Sequence, residues 1–318
     1  MEILKFKPYL KTVIWGGDKI CSYKGISRPE PHIGESWEIS GVKGHESEVA
    51  EGPLRGLTIA DLARRFGAAF LGTRVFERYG EDFPLLIKFI DAADNLSVQV
   101  HPDDDLAARR HNCRGKTEMW YIVQSDDDAK IYAGLNRSMT PDEYVERVAA
   151  GTFAETLAVQ DSFPGDVFFL PAGRVHAIGA GNLLAEIQET SDITYRIYDY
   201  DRRDAQGNPR ELHTDLAKDA IDYRLYDNYK SPRPSDKAPK ATIAECRHFK
   251  VVRLVVDGSA ELTADPGTFA ILICISGEVK ALQNGSLTGL RQGETCLIPA
   301  DSDPVTLTGS ATLLIATC

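Results

Sequence analysis

Short apolar runs, each closed off by Gly, Pro or Asp, recur along most of this chain. Runs of this kind with β-branched and aromatic residues read as strands. They predict strands at 83–90, 96–101, 118–123, 130–133, 167–170, 183–189 and 193–200, and in the last quarter at 269–275, 295–298 and 312–316. Helical spacing is rarer and is announced by caps. Thr58-Ile-Ala-Asp61 reads as a capping box ahead of Ile59, Leu62, Ala63 and Phe66, Thr140-Pro141-Asp142-Glu143 adds a proline at the first helical position, and Thr152-Phe-Ala-Glu155 repeats the box. A fourth helix is predicted within 211–223. Many short strands with turn signals argue for packed antiparallel sheets of the sandwich or jelly-roll type rather than alternating βαβ units.

The stretch 231–241, SPRPSDKAPKA, is proline-rich, charged and nearly free of apolar side chains, the composition of a linker. It divides the chain into residues 1–230, which carry the helices, and a smaller all-β part, 242–318. A weak repeat connects the two. Gly165-DVFFL-Pro171-Ala-Gly173-Arg-Val-His176 is echoed by Gly293-ETCLI-Pro299-Ala-Asp301, in which the second glycine and the histidine are gone. The expected architecture is therefore mainly β: two jelly-roll barrels, with short helices inserted in the first and the chemistry lost from the second.

Composition narrows the partners. Of 318 residues 43% are hydrophobic and 26% charged, enough for sizeable cores, and the net charge is −11. An acidic protein of pI ≈ 5.2 is a poor binder of nucleic acid or anionic membranes over its whole surface. No run approaches the roughly 18 apolar residues of a membrane helix. The opening MEILKFKPYLKTVIWGG lacks the basic start and apolar core of an export signal. Six cysteines lie far apart with no CxxC pair, which reads as reduced thiols and a cytoplasmic protein.

The candidate chemistry lies in three segments. Gly165, Pro171, Gly173 and His176 form a G-x5-P-x-G-x2-H pattern that resembles the second motif of the cupin superfamily, although Ala180 stands where that motif usually has Asn. In Leu96-Ser-Val-Gln99-Val-His101-Pro102, Gln99 and His101 are two apart and share a strand face. In Gly115-Lys116-Thr117-Glu118-Met-Trp120-Tyr121-Ile122, the side chains of Glu118, Trp120 and Ile122 share another. Gln99, His101, Glu118 and His176 together offer two imidazoles, one carboxylate and one amide oxygen, a mixed set suited to a borderline divalent ion such as zinc. With only one anionic ligand, such an ion keeps its Lewis acidity.

LSVQVHPDD, GKTEMWYI, GDVFFLPAGRVHAIGAG and AEIQETSDITYRIYDYDR, with IGESWEIS and the opening LKFKPYLKTVIWGGDKI, resemble the type I mannose-6-phosphate isomerase family in its short bacterial form. The resemblance runs over essentially the whole chain. It implies a two-cupin layout, one Zn²⁺ per chain on Gln99, His101, Glu118 and His176, and an aldose–ketose isomerisation of a sugar phosphate through an enediol. It also implies that Arg196 is the active-site arginine and that Ser97 and Lys116 line the substrate pocket. Glu186, on a strand soon after His176, and Lys116 are the candidates for proton transfer. Lys116, Arg196, Arg202 and Arg174 are the candidates for holding the phosphate, because guanidinium and ammonium groups suit oxyanions. Two rivals share the pocket: an iron cupin oxygenase using His101, Glu118 and His176, and a non-enzymatic sugar-phosphate-binding double cupin.

Overall fold

The computed structural model describes residues 1–203, 207–235 and 238–318. It is mainly β, with all the strands in three antiparallel sheets. In the first sheet, Tyr9–Gly17, Ile33–Ser40, Leu85–Ala92, Asn182–Glu189, Glu118–Ser125 and Val167–Leu170 lie side by side in that order. The second runs Tyr195–Tyr198, Val98–Val100, His176–Ile178, Lys130–Leu135, Leu157–Asp161. The third holds Lys240–Glu245, Lys250–Leu262, Val305–Thr317, Ala270–Gln283 and Ser286–Arg291, with Thr295–Ile298 also paired to Ala270–Gln283. Among the described residues no helix is long and apolar enough to cross a membrane.

Strand alternation decides which face meets which core. Trp120 and Ile122 point toward the second sheet and pack with Ile131, Ala133 and Ile178. Met119 and Tyr121, one residue out of phase, point the other way and join a cluster with Ile59, Leu62, Phe70, Leu71, Phe249, Phe269 and Ile271. The first sheet is thus covered on both sides, which is why Asn182–Glu189 is buried along its whole length. The last quarter of the chain supplies part of that second cover. Phe83 and Phe269 stack at 4.8 Å between ring centroids, and the first residues pair with the third sheet through reciprocal Leu4–Leu297 backbone bonds of 2.8 Å.

The Thr58 box forms as expected: Thr58 Oγ1 accepts from the Asp61 amide, and Asp61 returns a bond to the Thr58 amide, at the start of Ile59–Phe66. Thr140 caps Pro141–Ala149 in the same manner. Three expectations need correction. Thr152 caps nothing: its ψ of 4° turns the hydroxyl away from the following amides, its own amide bonds to Arg147 O at 2.9 Å, and only a single 3₁₀ turn, Phe153–Thr156, follows. The helix in 211–223 is confined to Thr214–Ala220. The strand expected at 193–200 stops at Tyr198, because Tyr200 and Asp201 both take positive φ, 55° and 54°, and reverse the chain.

The two glycines of the internal repeat behave alike. Gly165 (φ 88°) and Gly293 (φ 78°) each turn the chain in the left-handed region just before a four-residue strand, Val167–Leu170 and Thr295–Ile298. In the segment expected to be a linker, residues 236–237 lie outside the described residues, and Lys240 and Ala241 already belong to the strand Lys240–Glu245.

Candidate metal centre and substrate cavity

Gln99 and His176 sit directly opposite each other on neighbouring strands of the second sheet. His101 follows just beyond Val98–Val100, where Pro102 cannot extend the ladder, and Glu118 opens its strand in the facing sheet. The two sheets therefore deliver all four side chains to one place. Glu118 Oε2 lies 3.5 Å from His101 Nε2, Glu118 Oε1 lies 3.3 Å from His176 Nε2, and the two imidazole centroids are 4.8 Å apart. Gln99 Nε2 is 3.2 Å from His176 Nε2, and a half-turn of that amide presents its oxygen at the same spot. Trp120 closes one side with its ring edge-on to His176.

Both histidines are oriented from behind. His101 Nδ1 donates to Ile193 O at 3.0 Å, and His176 Nδ1 donates to Arg174 O at 2.8 Å. With Nδ1–H committed, each neutral ring turns the lone pair of Nε2 inward, as histidine ligands of metals do. Burial keeps the rings neutral, pushing the pKa of His101 down to about 3, with Lys116 adding to the effect, and lowering that of His176. Burial alone would raise the Glu118 pKa, but the Lys116 ammonium beside it prevails and holds it well below the usual carboxylate range.

The centre thus gathers a carboxylate and two imidazole lone pairs with no proton among them. Among the described residues, both Glu118 oxygens and His101 Nε2 are buried without a hydrogen bond. The Lys116 ammonium stands 3.0 Å from Glu118 Oε2 and balances its charge, yet leaves these lone pairs unsatisfied. Buried acceptors facing one another are costly unless a cation joins them. These residues fit a divalent ion with nitrogen and oxygen ligands.

Beside the centre opens a cavity of about 440 Å³ whose walls include Ser97, Gln99, Lys116, Glu186 and Arg196, a size suited to a small-molecule ligand. Sequence reasoning placed those five together. It missed Lys11, Glu35, Lys88 and Arg210, which also line the cavity, because they come from strands and loops with no metal-motif spacing. The signal available for Lys88 was register: Glu186 pairs across the sheet with Lys88 on one side and Trp120 on the other. Lys88 Nζ reaches Glu186 Oε1 at 3.0 Å, Trp120 Nε1 donates to Glu186 Oε2 at 2.8 Å, and all three are buried.

Arg196 has its guanidinium half-buried at the cavity wall. Nη1 donates to Glu211 O at 2.8 Å, while Nε, buried, has no partner. Burial, reinforced by nearby Arg210, lowers its pKa. Its backbone is fixed by His213, whose Nδ1 accepts from the Arg196 amide at 3.1 Å. Arg202 does not line the cavity. The reversal at Tyr200 and Asp201 turns it away, so that it donates to Asp199 Oδ1 and Asn95 O. Arg174 is also outside, sandwiched against the rings of Tyr226 and Tyr229. Arg210 takes the place expected of Arg202, reaching the cavity wall while also pairing with Asp199.

Comparison with known proteins agrees with this layout. A family model for "phosphomannose isomerase type I, catalytic domain" matches residues 3–147, and one for "mannose-6-phosphate isomerase, cupin domain" matches residues 240–318. The chain is 34% identical over 318 residues to mannose-6-phosphate isomerase ManA of Bacillus subtilis (strain 168), covering 99% of this chain and 98% of that one. It is 31% identical over 299 residues to the mannose-6-phosphate isomerase of Streptococcus mutans, covering 94% and 92% respectively. The crystal structure of mannose 6-phosphate isomerase from Bacillus subtilis superposes with a TM-score of 0.90 at 33% identity, over 99% of both chains. Motif, site and full-length similarity lead to one conclusion: the chain belongs to the type I phosphomannose isomerase family.

Proposed function

We propose that this chain interconverts D-mannose 6-phosphate and D-fructose 6-phosphate, with one Zn²⁺ held by Gln99, His101, Glu118 and His176. The observation that carries this reading is the proton-free convergence of Glu118 with two Nε2 lone pairs at the edge of a cavity lined by Lys11, Lys88, Lys116, Arg196 and Arg210. These five cations outnumber the three carboxylates that also line the cavity, Glu35, Glu186 and Asp192, and the positive balance favours an anionic sugar over a neutral one.

Bound zinc would supply Lewis acidity to polarise the sugar carbonyl. The remaining work falls to the chain itself. Isomerisation takes the proton from C2 of the aldose, returns it to C1, and shifts a hydroxyl proton between O2 and O1. Glu186 is the base we assign to the carbon-bound proton. Its two oxygens each accept one protein donor and each keep a further lone pair, on a side chain that lines the cavity. Lys88 and Trp120 fix its direction. Lys116 and Arg196 hold negative charge on the oxygens as the enediol forms, a task for cationic hydrogen-bond donors. Ser97 is buried in the wall next to Gln99 and contributes a hydroxyl there. Phosphate binding falls to Arg210 and Lys11, the cavity cations given no part in the proton transfers.

The same reading takes 1–230 as the catalytic unit and 242–318 as a second cupin-type unit without ligands, each a jelly-roll barrel, joined through 231–241. A phosphorylated sugar substrate fits a cytoplasmic protein. The reading is tested by coupled assay of fructose 6-phosphate formation with Glu186→Gln and Lys116→Met. Both should lower kcat at least a hundredfold with zinc retained, and near-normal turnover in both would refute the assignment.

A further inference from the structure

The third sheet carries no ligand of the proposed centre, yet one of its turns reaches the segment that does. Residues 246–249 connect Lys240–Glu245 to Lys250–Leu262, and from this turn Arg247 and His248 face two carboxylates of the catalytic half. Arg247 Nη2 donates to Asp104 Oδ2 at 3.0 Å. His248 Nδ1 lies 2.8 Å from Glu189 Oε1, a close polar contact rather than an aligned hydrogen bond, with both side chains more than nine-tenths buried. Each carboxylate uses its other oxygen on the loop before Glu118: Asp104 Oδ1 accepts from the Gly115 amide at 3.0 Å, and Glu189 Oε2 accepts from the Thr117 amide at 2.8 Å.

The amides so held are those on either side of Lys116. The Lys116 amide itself donates to Pro102 O at 3.1 Å, and Thr117 O accepts from the Glu189 amide at the same distance. Three consecutive amides are thereby fixed. The loop is also pressed against its support, since a Cβ on Gly115 would come within 2.5 Å of Asp104 N. Thr117 and Lys116 are buried, so no solvent replaces a lost acceptor.

We propose that Arg247 and His248 are positioning residues: through Asp104 and Glu189 they fix the two amides that flank Lys116, and so place the Lys116 ammonium and the Glu118 carboxylate in the site. This rests on the function proposed above for Lys116 and Glu118, and it gives the ligand-free sheet a task in the reaction. Asp104, Glu189 and His248 together have the composition of a metal site. Arg247 already supplies the cation there, and three of the four carboxylate oxygens are taken by Arg247 and the two amides.

The test compares wild type, His248→Leu, His248→Asn and Arg247→Ala. For each, kcat and KM, zinc per chain, zinc affinity by chelator competition and the melting temperature are measured. Removing a group that orients a metal-site residue typically costs 10- to 100-fold in activity or metal affinity. His248→Leu is expected to lose about tenfold in kcat and in zinc affinity. His248→Asn, whose amide nitrogen replaces Nδ1, should restore most of both. A role confined to stability would lower the melting temperature of His248→Leu and leave kcat and zinc affinity unchanged, and that result overturns the proposal. Arg247 is 70% exposed at its side chain, so Arg247→Ala keeps the test open if His248→Leu does not fold. A two- to threefold loss of kcat is expected there, and wild-type kcat and zinc affinity in it would overturn the proposal. A second equivalent of zinc in wild type that His248→Leu removes would replace the clamp with a metal site and overturn it too. Absence of isomerisation in wild type would instead sink the proposed function, so the two failures are distinguishable.

Discussion

Lys116→Met removes the one full positive charge beside Glu118, and its effect should depend on whether metal is bound. In the metal-free protein the carboxylate has Lys116 Nζ at 3.0 Å and otherwise only two neutral imidazoles, at 3.3 and 3.5 Å. Lys116 and Glu118 are both almost fully buried. Breaking a buried pair by deleting one partner costs about 3–5 kcal/mol, because the other charge stays behind uncompensated. At about 2–4 °C per kcal/mol, that amounts to a fall of roughly 6–20 °C in Tm for the chelated protein. With zinc on Glu118 the charge is met by the ion, and the fall should shrink to a few degrees. Zinc affinity should hold or rise, since a competing cation has gone. Thermal melts of wild type and variant, each in excess chelator and in excess zinc, measure the difference. Equal falls in both conditions would refute the idea that a cation shares Glu118 with Lys116.

Three further outcomes follow from the geometry. His176→Ala removes a ligand and should take both bound zinc and isomerisation below one-tenth of wild type, measured by elemental analysis and coupled assay, with far-UV circular dichroism unchanged. Metal-free protein should lose stability in acid. His101 titrates near 6.5 when unfolded but at about 3 when folded, so the unfolded chain binds more protons between those values, and stability falls as pH drops through that window by up to about 4–5 kcal/mol. Flat urea midpoints of the chelated protein between pH 7.5 and 4 would contradict this. Arg210→Ala should raise KM for mannose 6-phosphate at least tenfold with a smaller change in kcat, whereas Arg202→Ala, outside the cavity, should leave KM within about threefold.

The convergence of Gln99, His101, Glu118 and His176 was legible because the signals for it are local. A two-residue spacing, a glycine–proline turn and a strand-opening carboxylate each survive translation into structure almost unchanged. What was not legible depends on contacts between distant segments. The strands Tyr9–Gly17 and Ile33–Ser40 carry charged residues on their cavity face, Lys11 and Glu35, and so interrupt the apolar runs that mark other strands. Arg202 was expected to join Arg196 in holding the phosphate, and nothing local in Tyr198-Asp-Tyr200-Asp201 announces two left-handed residues in succession. His248 carries no sequence signal, because its neighbour, Glu189, is far away in sequence and meets it only when the third sheet covers the first. The Thr152 box had the right residues, but Arg147 O takes the Thr152 amide that the Glu155 side chain would have accepted from.

The measurement that reaches the central claim most directly is zinc content and isomerisation on one preparation. Protein purified without added metal would be analysed for zinc and iron, then assayed for conversion of mannose 6-phosphate to fructose 6-phosphate before chelation, after chelation and after zinc is restored. Close to one zinc per chain is expected, with turnover that chelation removes and zinc returns. Undiminished turnover in fully metal-free protein, or stoichiometric iron with no isomerisation, would contradict it.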